Sequence, residues 1–164
     1  MTQYDINEVK IRVEAAKVPQ MFEALAAVAK NWIESNARYR IITYNERLDD
    51  GRSKADFYIS RLNEEIKESE EIIKSLPNRE LSREEILENL RWSYDFDEDG
   101  SLSSMYHPSD AMDVNEEELE VIAPFVSDGS YVELSGEDSD DLFRYVFRNG
   151  EMRRIHAVIS FPED

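Results

Sequence analysis

Residues 128–161, DGSYVELSGEDSDDLFRYVFRNGEMRRIHAVISF, decide the fold. Tyr131, Val132 and Leu134 are strand formers that follow the turn pair Asp128-Gly129, and Gly136 to Asp141 is too polar and too rich in turn residues to extend them. From Leu142 to Arg148 the chain alternates, with Phe143, Tyr145 and Phe147 on one side and Leu142, Arg144, Val146 and Arg148 on the other. Asn149-Gly150 then signals a tight hairpin, because a type I′ turn needs positive φ at both central residues. Met152, Ile155, Ala157, Ile159 and Phe161 continue as a third strand whose alternation slips near Arg153-Arg154, the signature of a bulge. The reading is a three-stranded antiparallel meander with an aromatic face that another element must cover.

Upstream, Trp92, Tyr94 and Phe96 alternate with Ser93 and Asp95, Asp97 to Gly100 form a turn, and Ser101 to Tyr106 return as the partner strand. Asn115 is placed to cap a short helix through Ala123, with Glu116, Glu117 and Glu118 at its positive end and Pro124 stopping it. Hairpin, helix and meander together predict a five-stranded antiparallel sheet.

The first 90 residues read differently. Val9–Val13 alternates as a strand, and a helix follows from Pro19 with Phe22, Leu25, Ala26, Ala29, Trp32 and Ile33 on one face. Tyr39–Tyr44 (YRIITY) is expected to be a second strand, followed by a loop over Leu48–Ser53. Ala55–Leu76 is a long helical pattern with a heptad-like seam, Ile59, Leu62, Ile66, Ser69, Ile73 and Leu76. That seam fits packing inside the chain, or a homodimer joined through the Ile59–Leu76 helix. Ser82 with Glu85 forms a capping box that opens a short helix through Leu90. The expected class is α+β: an antiparallel sheet from the C-terminal half packed with several helices from the N-terminal half, residues 1–90 and 91–164 making one compact domain.

Charge divides the chain as well. Of 19 basic and 37 acidic residues, segment 91–164 holds 5 and 19, a net of −14, while 1–90 holds 14 and 18, a net of −4. Such an acidic half repels nucleic acid and anionic membranes and attracts basic surfaces. Cysteine is absent, which excludes disulfides and thiolate chemistry. The N-terminus lacks the pattern of a signal peptide and no apolar run approaches a membrane span, so a cytoplasmic location is expected.

No stretch specifies chemistry. Asp95, Asp97, Asp99 and Gly100 match the first, third, fifth and sixth positions of a calcium-binding EF-hand loop, but Tyr106 stands where the bidentate Glu belongs, so an acidic turn is the better reading. His107 and His156 lack metal-ligand spacing, Gly-x-Ser-x-Gly does not occur, and no glycine-rich phosphate loop is present. No catalytic, cofactor or metal residues are expected. Arg144, Arg148, Arg153 and Arg154 lie on adjacent strands, placed to neutralise acids such as Glu133 and Glu151 or to form a small patch for a partner's carboxylates.

Ile122-Ala123-Pro124-Phe125-Val126 through Gly150, preceded by the Trp-x-Tyr-Asp-x-Asp-x-Asp-Gly hairpin of 92–100, resembles a module of small acidic proteins of unknown function from bacteria, their phages and mobile elements. The likeness covers about residues 91–155, with Ser139 in place of a glycine and Phe143 in place of a tryptophan. It implies a domain and a sheet, and brings no activity and no catalytic residues.

The resulting expectation is a non-enzymatic interaction protein. Asp95, Asp97, Glu98, Asp99, Glu116, Glu117, Glu118, Glu120, Glu137, Asp138, Asp140 and Asp141 form an acidic face for a basic partner protein. Its alternatives are an inhibitor of the antirestriction or anti-CRISPR type, whose carboxylates imitate phosphates, and an enzyme with an unrecognised site beside a histidine.

Overall fold

The computed structural model describes residues 4–50, 55–107, 116–137, 141–158 and 162. The chain divides into two compact units, residues 1–25 with 90–164, and residues 26–89. The class is α+β, with an antiparallel four-stranded sheet and a separate two-stranded one.

In the first unit, β1 (Asp5–Lys10), β4 (Tyr131–Ser135), β5 (Leu142–Arg148) and β6 (Glu151–His156) form a sheet in the order β1-β4-β5-β6. The other strands are β2 (Ser93–Phe96) and β3 (Leu102–Tyr106), which form a separate two-stranded sheet bridged to Val13 at Leu102. The expected five-stranded sheet is thereby corrected, because β1 occupies the edge of β4 that the hairpin would have used. The first strand also lies earlier than Val9–Val13. Beyond Lys10 the chain leaves the sheet, burying Ile11 and Val13, and Val13 exchanges backbone bonds with Leu102 (3.1 and 2.9 Å).

The expected three-stranded meander forms, with Glu133 opposite Arg144 and Arg148 opposite Glu151. There is no bulge at Arg153-Arg154, since pairing runs unbroken from Phe143↔His156 to Arg148↔Glu151. The alternation only looks broken because an arginine occupies an inner-face position. The Arg154 guanidinium lies 3.9 Å from the Phe143 ring centroid, where its flat cation stacks on the aromatic face. β6 stops at His156; Ile159 and Phe161 lie outside the described residues. Helix α4 (Glu116–Ile122) ends in a 3-10 turn, Ala123–Phe125, which accommodates Pro124; Asn115 lies outside the described residues. Val132, Leu134, Phe143, Tyr145 and Phe147 from the sheet, Leu119 and Ile122 from α4, and Trp92, Leu102 and Met105 from the hairpin are buried.

Asn149 (φ 54°) and Gly150 (φ 76°) form the β5–β6 turn. A Cβ at Gly150 would meet Pro124 Cα at 3.6 Å, an ordinary contact. Gly150→Ala should therefore cost only the left-handed backbone penalty, about 1–2 kcal/mol, read as a lower denaturation midpoint. An unchanged midpoint would mean that the turn relaxes to another type.

Helix α1 spans Val18–Asp49, so Tyr39–Tyr44 is helical and the expected second strand is absent. No glycine or proline interrupts residues 20–50, and the β-branched run Ile41-Ile42-Thr43 is overridden by its helical neighbours. Among those neighbours, Glu34 and Arg38 pair at 2.7 Å one turn apart. The second unit holds the rest of α1 from Ala26, then α2 (Asp56–Ser75), a 3-10 turn at Leu76–Asn78, and α3 (Arg83–Glu88). Ser82 caps α3 as expected, its Oγ accepting from the Glu85 N–H at 3.1 Å. Leu62, Ile66, Ser69 and Leu76 of the α2 seam are buried within a single chain.

Candidate functional site

The expected acidic residues divide by environment. Asp95 is exposed on β2, and Asp97, Glu98 and Asp99 are exposed at the tip of the β2–β3 hairpin. The tip is a tight turn: Gly100 takes φ +87° and its N–H donates to Asp97 O at 2.9 Å. Asp99 Oδ1 accepts from the Ser101 N–H (2.9 Å) and hydroxyl (2.6 Å), which lowers its pKa from the ordinary carboxylate value. The EF-hand-like segment is thus a self-bonded β-turn. Among the described residues, no group of three or more Asp, Glu or His could hold a metal ion.

Glu116, Glu117 and Glu120 are exposed on α4, and the Tyr145 hydroxyl donates to Glu116. Burial, followed by that hydrogen bond, raises the Tyr145 pKa. Glu137 is exposed and Asp141 half-buried, while Asp138 and Asp140 lie outside the described residues.

Glu118 does not belong to this surface. Its side chain is fully buried and accepts from the Arg91 N–H at 2.8 Å, the Trp92 N–H at 3.4 Å and the Tyr94 hydroxyl at 2.9 Å. It ties α4 to the entry of β2, satisfying backbone donors that the hairpin leaves unpaired. Burial raises its pKa, and the Arg91 and Tyr94 donors pull partly back. The same burial, beside the Glu118 carboxylate, pushes the Tyr94 hydroxyl well above its ordinary value.

The arginines divide too. Alternation sends Arg154 to the inner face, while Arg144, Arg148 and Arg153 share the outer face. Arg144 donates to Glu133 Oε1 at 2.9 Å and stacks over the Tyr131 ring at 4.1 Å, and Arg153 reaches Glu151 at 3.4 Å. These are the expected neutralising pairs. The same side chains also wall a hollow of about 640 Å³ floored by Val146 and bounded by Tyr131 and Ile155. A second hollow of about 390 Å³ adjoins it toward Leu142 and Ala157, sharing Arg144, Val146 and Ile155. Sequence alternation was the signal for this grouping, but only the cross-strand register shows which arginines converge.

The histidines stand apart: the His107 ring packs edge-on to Trp92 at 5.0 Å, and His156 lies on β6 with its ring 5.9 Å from that of Phe143. Among the described residues, no helix is long and apolar enough to cross a membrane. Comparison of the chain with protein-family models, with curated proteins and with solved structures finds no match.

Proposed function

We propose that this protein is a non-enzymatic interaction protein whose acidic surface engages a basic partner protein. The observation that carries the reading is that Asp95, Asp97, Glu98, Glu117 and Glu120 are exposed and form no ion pair among the described residues, whereas acids such as Glu34 and Glu133 are paired with arginines. Unpaired carboxylates on a turn and a helix set up a field that steers a cationic surface and orients it on arrival. The resemblance of residues 91–155 to modules of small acidic bacterial and phage proteins fits the same use.

Affinity capture from an extract of the source cells, with the intact chain as bait, tests this. A basic protein retained at about 50 mM salt should be lost at about 300 mM, where the Debye length falls to roughly half. It should also be lost when Asp95→Asn, Asp97→Asn and Glu98→Gln are combined. A partner held equally at both salts and by the neutralised variant would overturn the proposal. If the carboxylates stand in for phosphates, duplex DNA should compete for that partner.

A further inference from the structure

We propose that the outer face of the four-stranded sheet is a second binding site, one for an extended peptide segment in which two acidic residues flank an apolar residue at alternate positions. It is independent of the acidic surface. The first observation is charge. Segment 91–164 holds only five basic residues against 19 acidic ones, yet Arg144, Arg148 and Arg153 line one hollow, with Glu151 in its lining and Glu133 paired with Arg144 beside it. Three guanidinium groups against two carboxylates leave an excess of positive charge, complementary to an anionic ligand at close range.

The second is spacing. Arg144, Val146 and Arg148 occupy alternate positions on the outer face of β5, so the two arginines stand about 13 Å apart with an apolar residue midway. An extended peptide repeats its own side chains at the same interval. A segment reading acid-x-apolar-x-acid, laid along β5, sets each carboxylate at an arginine and its apolar side chain on Val146. Arg153, opposite Val146, closes the flank, and Ile155, opposite Arg144 and 53% exposed, extends the apolar floor.

The third is readiness. Arg144 is held by Tyr131 on its face and Glu133 at Nε, which leaves its terminal N–H groups for a carboxylate. Arg148 forms no ion pair among the described residues. The Tyr131 hydroxyl pKa is raised, chiefly by hydrogen bonding toward Glu8 of β1 and then by burial. A peptide fits better than a nucleic acid, because the apolar floor separates the cations and the surrounding carboxylates repel a polyanion.

Fluorescence anisotropy with a labelled Gly-Glu-Thr-Leu-Thr-Glu-Gly peptide and the full chain tests the site. Saturable binding is expected, weakened ~10-fold or more by Arg148→Gln and by Arg153→Gln, both exposed substitutions. Arg148→Lys should fall between, keeping the charge and losing the fork. A peptide with its two Glu adjacent should bind more weakly. The acid-neutralised triple variant should bind the peptide at least as well as the wild type, which separates this site from the acidic surface. No binding at ~1 mM peptide would overturn the inference. So would affinity indifferent to Arg148→Gln and Arg153→Gln, or competition by inorganic phosphate as strong as by the unlabelled peptide.

Discussion

Glu118→Ala should lower stability by about 3 kcal/mol or more, seen as a fall in the urea midpoint with unchanged slope. The substitution removes an acceptor that serves the Arg91 and Trp92 N–H groups and the Tyr94 hydroxyl at once. Each buried donor left without a partner costs about 1–3 kcal/mol. Glu118→Gln keeps an oxygen but turns an amide donor toward donors, so a smaller loss of about 1–2 kcal/mol is expected. A loss below ~0.5 kcal/mol for Ala would show that the hairpin entry finds other acceptors.

The pH dependence has a defined sign. Burial raises the Glu118 pKa in the folded protein, so folding favours the protonated carboxyl. Its contribution is fully present below the unfolded value, about 4.3, and is lost as pH rises through the higher folded value. The stability of the wild type relative to Glu118→Gln should therefore decline across that window. A difference that grows with pH would contradict the environment described for this carboxyl.

Phe143→Ala should cost about 3–5 kcal/mol. Phe143 is 1% exposed, and its ring meets Tyr4 edge-on at 5.1 Å and Tyr145 at 5.5 Å, with the Arg154 guanidinium over it. Truncation leaves a cavity whose walls come from the segment before β1, from β5 and from β6 and cannot close together, so the penalty exceeds simple transfer. Phe143→Leu should cost roughly 1–2 kcal/mol, because volume is largely kept while the edge contacts and the cation's platform are lost. A double-mutant cycle with Arg154→Gln should show coupling between ring and guanidinium; strict additivity would mean that the stacking contributes nothing.

The parts of this fold that were legible in the sequence are those with a local cause. Alternation at Phe143, Tyr145 and Phe147, the Asn149-Gly150 turn and the Ser82–Glu85 cap each act within a few residues. Tyr39–Tyr44 misled because β-branched and aromatic residues favour strands only weakly, and an uninterrupted helix from Val18 overrides them. The partner of β4 was hidden because it comes from more than 120 residues away, where Asp5 meets Ser135. Glu118 reads as a surface acid because it sits in the run Glu116-Glu117-Glu118. Its one clue was helical spacing: Glu118 lies four residues before the buried Ile122, on the same face. Arg153 and Arg154 are adjacent and therefore face opposite ways, but which one faces the core depends on a register that composition does not encode.

Among the described residues β6 is the last strand of its sheet, and an unpaired strand edge is a template on which another chain can begin to aggregate. Arg153 and Arg154 occupy the middle of that strand, both exposed. A second β6 approaching edge to edge would bring four guanidinium groups together before any backbone bond formed. The same two side chains that serve opposite faces of the sheet thus set like charge against edge-to-edge pairing.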